Sequence, residues 1–193
     1  RPDENRFRFV DHFKDNENVL CTLGMPDEYD LDFYQQDYPD LIPMLPLEYD
    51  LILDLDVPNL VSIMGWDLQQ VSYIQVVNES LFHYDKDHMF INEKTFKPIA
   101  CLQPFIINGM PGSLKHLHDI GFKTFSDWWD ESYDAETDFL KRSDMILDIV
   151  TELASLNHAD FRDMLEGMHN ILIHNRSLLM SLARRHSIDL YNQ

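Results

Sequence analysis

The chain has 193 residues, 45% apolar and 12% aromatic, which is enough to bury a core and too apolar for a disordered segment. Its formal net charge of −19 argues against nucleic acid or an anionic membrane as a partner. No apolar run approaches the ~20 residues of a membrane span, and the polar start from Arg1 to Arg6 lacks the apolar stretch of a secretion signal, so a cytoplasmic protein is expected.

In chain order, residues 6–14 predict a helix with Phe9, Val10 and Phe13 on one face. Asn18 to Leu23 is a short apolar run ending at Gly24 and predicts a buried strand. The acidic stretch at about 25–50 is rich in Tyr and carries Pro26, Pro39, Pro43 and Pro46. It is expected to be a long irregular insertion with room for a short helix. Leu51 to Leu55 and Val57 to Met64 predict strands punctuated by Pro58, and Val71 to Val77 is the clearest β-branched strand.

A polar loop from Asn78 to Met89 leads to a helix over Asn92 to Leu102, where Pro98 is expected to kink it or delay its start. Pro104 to Ile107 predicts a strand, and Ser113 to Ile120 a helix closed by Gly121. Phe122 to Phe125 predicts another strand. From about 135 to 190 the pattern is helical, with Ile146, Leu147, Ile149, Val150 and Leu153 facing a core. Alternating strands and helices followed by helices predict an α/β fold: one domain with a Rossmann-like parallel sheet, helices on both faces and C-terminal helices. Cys21 and Cys101 lie in apolar surroundings and read as buried free thiols.

The stretch from Tyr73 to Phe125 carries the chemistry. In open α/β sheets ligands bind beyond the carboxyl ends of the strands. Glu79 lies just past one predicted end, and the turn Gly109 to Ser113 just past the next. Glu93 and Lys94 open the intervening helix, where amide donors and the dipole favour phosphate. Lys94 adds a full positive charge, and the Glu93 carboxylate can accept two ribose hydroxyls. Ser113 can cap the next helix. No Lys or Arg lies between Lys14 and Lys86, so cationic contacts to any anionic ligand come from the two ends of the chain. The plain alternative is that Asn92 is a helix cap, with Glu93 favoured by the dipole, and that Glu79 is a turn residue.

The run Asn78-Glu79-Ser80, then Phe90 to Ala100 containing Asn92-Glu93-Lys94-Thr95, then Gln103 to Ile107, resembles the C-terminal donor-binding domain of α-1,3-fucosyltransferases of the GT-B type. That family shows Phe-Glu-Asn-Ser, a short gap, Tyr-Val-Thr-Glu-Lys, a helix and a Val-Pro-Val-Val strand. Glu93 to Tyr133 also resembles an uncharacterised group of viral and marine microbial glycosyltransferase-like proteins. The resemblance covers roughly residues 70–135, is weak before 25 and absent from 26 to 60. It implies a nucleotide-diphosphate sugar donor, GDP-fucose-like, with Glu93 on the ribose and Lys94 on the diphosphate. Arg6 takes the place of the family's phosphate-binding arginine, with Arg1 and Arg8 as alternatives. Phe90 replaces the family's tyrosine and loses its hydroxyl.

Glu79 is expected near the sugar, and Ser113 completes the donor set. The resemblance implies no cofactor and no metal, and sugar transfer to a glycan or other acceptor. No match to the family's N-terminal acceptor domain, which holds the catalytic base, is evident, so the catalytic residue stays unassigned and a half-length enzyme is expected. The alternatives are a non-catalytic structural or interaction module derived from such an enzyme, and a metal-dependent sugar transferase using Asp54 and Asp56.

Weaker signals remain. Asp54-Leu55-Asp56 matches an Asp-X-Asp metal pattern that chance readily produces in a chain with 34 acidic residues. His116 and His118, two apart on a helix, point in different directions and do not share a metal. Trp128 and Trp129 suit packing better than stacking on a ligand. Leu178, Leu179, Met180 and Leu182 are open to internal packing or a homodimer contact.

Overall fold

A computed structural model describes residues 4–21, 23, 26, 28–47, 72–79 and 89–191, with backbone alone at 28, 29 and 186–191. The chain forms two compact units, Arg1–Asp67 and Leu68–Gln193. The strands expected over 51–64, together with Arg1, Asp54 and Asp56, lie outside the described residues.

In the first unit, helix α1 (Glu4–Phe13) buries Phe7, Phe9, Val10 and Phe13, as its three- and four-residue spacings require. The acidic stretch holds the short helix that its sequence leaves room for. Helix α2 (Glu28–Asp37) and a 3-10 turn (Ile42–Met44) occupy it. Tyr34, Leu41 and Leu45 from this stretch join Phe7, Val10 and Leu23 in one core. The Phe7 and Tyr34 rings stack at 4.0 Å. The strand expected over Asn18 to Leu23 reduces to one antiparallel bridge, Leu23 with Leu47. Leu20, at 41% exposure, stays outside the core, whereas Leu23 enters it.

In the second unit, strand β1 (Gln75–Asn78) pairs in parallel with β2 (Phe105–Asn108), in the register Gln75 with Phe105 through Asn78 with Asn108. Helix α3 (Glu93–Ala100) lies between them in sequence and packs on both strands. Helices α4 (Ser113–Asp119), α5 (Phe139–Ala154) and α6 (His158–Tyr191) follow. The architecture is α/β and mostly helical: six helices and one two-stranded parallel sheet among the described residues. All four residues of β2 are buried, which explains its apolar run Phe105-Ile106-Ile107, whereas β1 buries only Val77. None of the described helices is long and apolar enough to cross a membrane.

Phe122 to Phe125, expected as a strand, is not one. The backbone groups of this segment bond to side chains and to the preceding helix. Asn175 of α6 accepts from Lys123 N–H and donates to Lys123 C=O, both at 2.8 Å. Glu131 accepts from Phe125 N–H at 2.8 Å, and Leu117 C=O accepts from Phe122 N–H at 2.9 Å. With those donors and acceptors occupied, the segment needs no strand neighbour. Trp129 is buried against Phe125, and Trp128 faces Gly167 of α6, so both indoles act in packing.

Helices α3 and α4 end in the same way by different means. In α4, Gly121 N–H donates to His118 C=O and Phe122 N–H to Leu117 C=O, with Gly121 at φ +98°. This is a Schellman closure with the expected glycine. In α3, Leu102 N–H donates to Ile99 C=O and Gln103 N–H to Pro98 C=O, with Leu102 itself at φ +59°. The motif is identical, but a leucine occupies the left-handed position. Pro98 neither delays the start of α3 nor prevents its second turn; the helix simply ends at Ala100, two residues later.

Candidate functional site

The site grows from the carboxyl end of the parallel pair. Asn78 and Asn108 face each other across it, Asn108 Nδ2 donating to Asn78 Oδ1 at 2.8 Å. Glu79 follows at once, fully buried, its backbone N–H held by Asn108 C=O at 2.9 Å. Its Oε1 accepts from Asn92 N–H at 3.1 Å and from Thr95 Oγ1 at 2.7 Å. Asn92 caps α3, its Oδ1 accepting from Lys94 N–H at 2.8 Å. Glu79 therefore joins the end of β1 to the first turn of α3.

Glu93 and Lys94 stand on that turn. Lys94 Nζ lies 3.4 Å from Glu93 Oε1, and the two side chains are 34% and 62% exposed, so both are within reach of a solvent-borne ligand. The Glu93 carboxyl is held below its usual range first by its own backbone N–H, with the Lys94 charge acting in the same direction. Phe90 is half-buried just ahead of this turn.

The next turn differs from expectation. Ser113 is not a cap: Gly112, at φ +82°, holds that position, and Ser113 is the first residue of α4. Its hydroxyl is buried and donates to Met110 C=O at 2.6 Å. The α4 amides are met instead by Asp134, whose two carboxylate oxygens accept from Leu114 and Lys115 N–H at 2.8 and 3.0 Å. The cap arrives from 19 and 20 residues downstream of the amides it meets, which local spacing does not reveal.

Glu79, Glu93, Lys94, Phe90 and Ser113 thus all belong to the second unit, with Glu79 and the Glu93–Lys94 pair on one connected turn. Ser113 is turned inward, away from that role. Arg6 lies on α1 of the first unit, half-buried. Thr95 and Asn108, which organise the turn, were not among the expected residues. No local spacing points to Thr95, because its partner Glu79 lies 16 residues upstream.

His118 bonds through Nε2 to Thr124 Oγ1 at 2.7 Å, and Thr124 Oγ1 to Glu131 Oε2 at 2.6 Å. Among the described residues no group of three or more His, Cys, Asp or Glu side chains is placed to hold a metal ion. No protein-family model, curated protein or solved structure matches the chain.

Proposed function

We propose that this chain binds a nucleotide-diphosphate sugar, GDP-fucose-like, as the Rossmann-like donor-side half of a glycosyltransferase. The observation that carries it is the adjacent, solvent-reachable Glu93–Lys94 pair on the first turn of the helix that connects two parallel strands. A lysine there neutralises part of a diphosphate, and the carboxylate beside it accepts ribose hydroxyls. Transfer would draw mainly on electrostatic stabilisation of the leaving diphosphate.

Titration calorimetry with GDP- and UDP-sugars tests this. Binding is expected for the intact chain, with Lys94→Ala weakening it by about tenfold through loss of one charge-assisted contact. No binding at millimolar donor, or unchanged affinity after Lys94→Ala, overturns the proposal.

A second reading, a non-catalytic interaction module, is favoured by one specific feature. The first-turn amides of α3 and α4 are already bonded to Asn92 and Asp134 side chains, which leaves fewer donors for phosphate. Sugar transfer or donor hydrolysis by the purified chain would exclude it.

A further inference from the structure

We infer that Glu79 is a positioning residue for the Glu93–Lys94 pair, and that Gly109 is the residue that gives it room. The inference rests on the reading that this pair meets the donor, but its geometry stands by itself. A Cβ built on Gly109 would lie 3.2 Å from both Cβ and Cγ of Glu79, and 3.3 Å from Ile107 Cγ2. Ile107 is core, 2% exposed, and cannot retreat. Cβ and Cγ of Glu79 sit next to its backbone, which the Asn108 carbonyl holds. Any side chain at position 109 therefore pushes on the stem of Glu79.

That push reaches α3 through the Glu79 carboxylate. Glu79 Oε1 is the acceptor for both Asn92 N–H and Thr95 Oγ1, so displacing the stem pulls on the cap and on the third residue of α3. Asn92 in turn holds Lys94 N–H. The chain of contacts runs from Gly109 through Glu79 and Asn92 to Lys94, inside one unit. Glu79 Oε2 is buried and has no hydrogen-bond partner among the described residues, so a single oxygen carries the clamp. Glutamine retains that acceptor, whereas alanine removes it.

Amide hydrogen exchange on the whole chain, followed residue by residue, tests the clamp without any ligand. In Gly109→Ala and Thr95→Val, exchange at Asn92 and Lys94 is expected to rise about fivefold, as loss of one hydrogen bond allows. Ile106 and Ile107 should keep wild-type exchange. Glu79→Ala should show the same pattern, Glu79→Gln should stay near wild type, and the Gly109→Ala/Glu79→Ala double variant should be no worse than Glu79→Ala alone. GDP-sugar affinity should fall about tenfold wherever exchange rises.

Unchanged exchange at Asn92 and Lys94 in Gly109→Ala and Thr95→Val overturns the inference. So does loosening that spreads equally to Ile106 and Ile107, because that signals only a lost core contact. If exchange responds as expected but wild type binds no donor, the clamp stands and the donor reading fails. If Lys94→Ala abolishes binding while Gly109→Ala alters neither exchange nor affinity, the clamp alone fails.

Discussion

Asn175 pairs with the backbone of Lys123 as a neighbouring strand would, its side-chain amide accepting from the N–H and donating to the C=O, both at 2.8 Å. The side chain is 1% exposed, so neither bond is readily replaced by water. Asn175→Leu should lower unfolding stability by about 1–3 kcal/mol, since two backbone groups are left without partners. Asn175→Asp should cost at least as much, because one carboxylate oxygen then faces the Lys123 carbonyl. Urea unfolding of the two variants checks this, and wild-type midpoints for both would refute it.

That pair also marks where sequence reasoning stops. Helices α1 and α5 were legible because their apolar residues recur at helical spacing, and Phe105-Ile106-Ile107 because a strand buried on both faces is uniformly apolar. Phe122-Lys123-Thr124-Phe125 also reads as a strand and yet is none. Its backbone groups are taken by Asn175, 52 residues later, by Glu131 and by the end of α4. The Glu93–Lys94 doublet was visible at the start of a helix, whereas the burial of Glu79 was not, since a carboxylate after a strand reads as a turn residue until its partners Asn92 and Thr95 are known. Asp134 as the cap of α4 was invisible for the same reason of distance.

Leu102 closes α3 at φ +59°, a position that glycine reaches freely. Left-handed backbone costs a residue with a side chain about 1–2 kcal/mol. Leu102→Gly should therefore raise stability by up to about 1 kcal/mol, the rest being offset by the lost packing of a half-buried leucine. Gly121→Leu, the reverse change in α4, should destabilise by about 1–2 kcal/mol, and by more if Leu178, 3.3 Å from the added Cβ, cannot move. Thermal unfolding of both variants measures the asymmetry.

Glu131 gives a pH dependence with a defined sign. Burial pushes its carboxyl above the usual range, more than the bonds from Thr124 and Phe125 pull it down. The folded chain therefore takes up this proton before the unfolded chain does. Its contribution to stability grows as pH falls from the raised folded value toward 4.5, and is absent above that window. Urea midpoints at pH 7 and pH 5 should show wild type gaining on Glu131→Gln as the pH drops. A constant difference between the two proteins would contradict the assignment.

Cys21 is half-buried, and burial raises its thiol to about 11. Burial also raises Cys101. At pH 8 both should react slowly with a disulfide reagent in the folded chain and quickly in denaturant, since the thiolate is the reactive form. Rapid labelling of the native protein would show that these thiols are open.

The boundary between the two units, at Asp67 and Leu68, falls inside the stretch from Lys14 to Lys86 that contains no lysine or arginine. Trypsin cuts only after those residues, so it has no bond to hydrolyse near the junction, however accessible the backbone there. A tryptic digest will leave the junction within a single acidic peptide running from residue 15 to residue 86. Separating the halves for study calls for a protease that recognises aspartate or glutamate, or for two separately expressed genes.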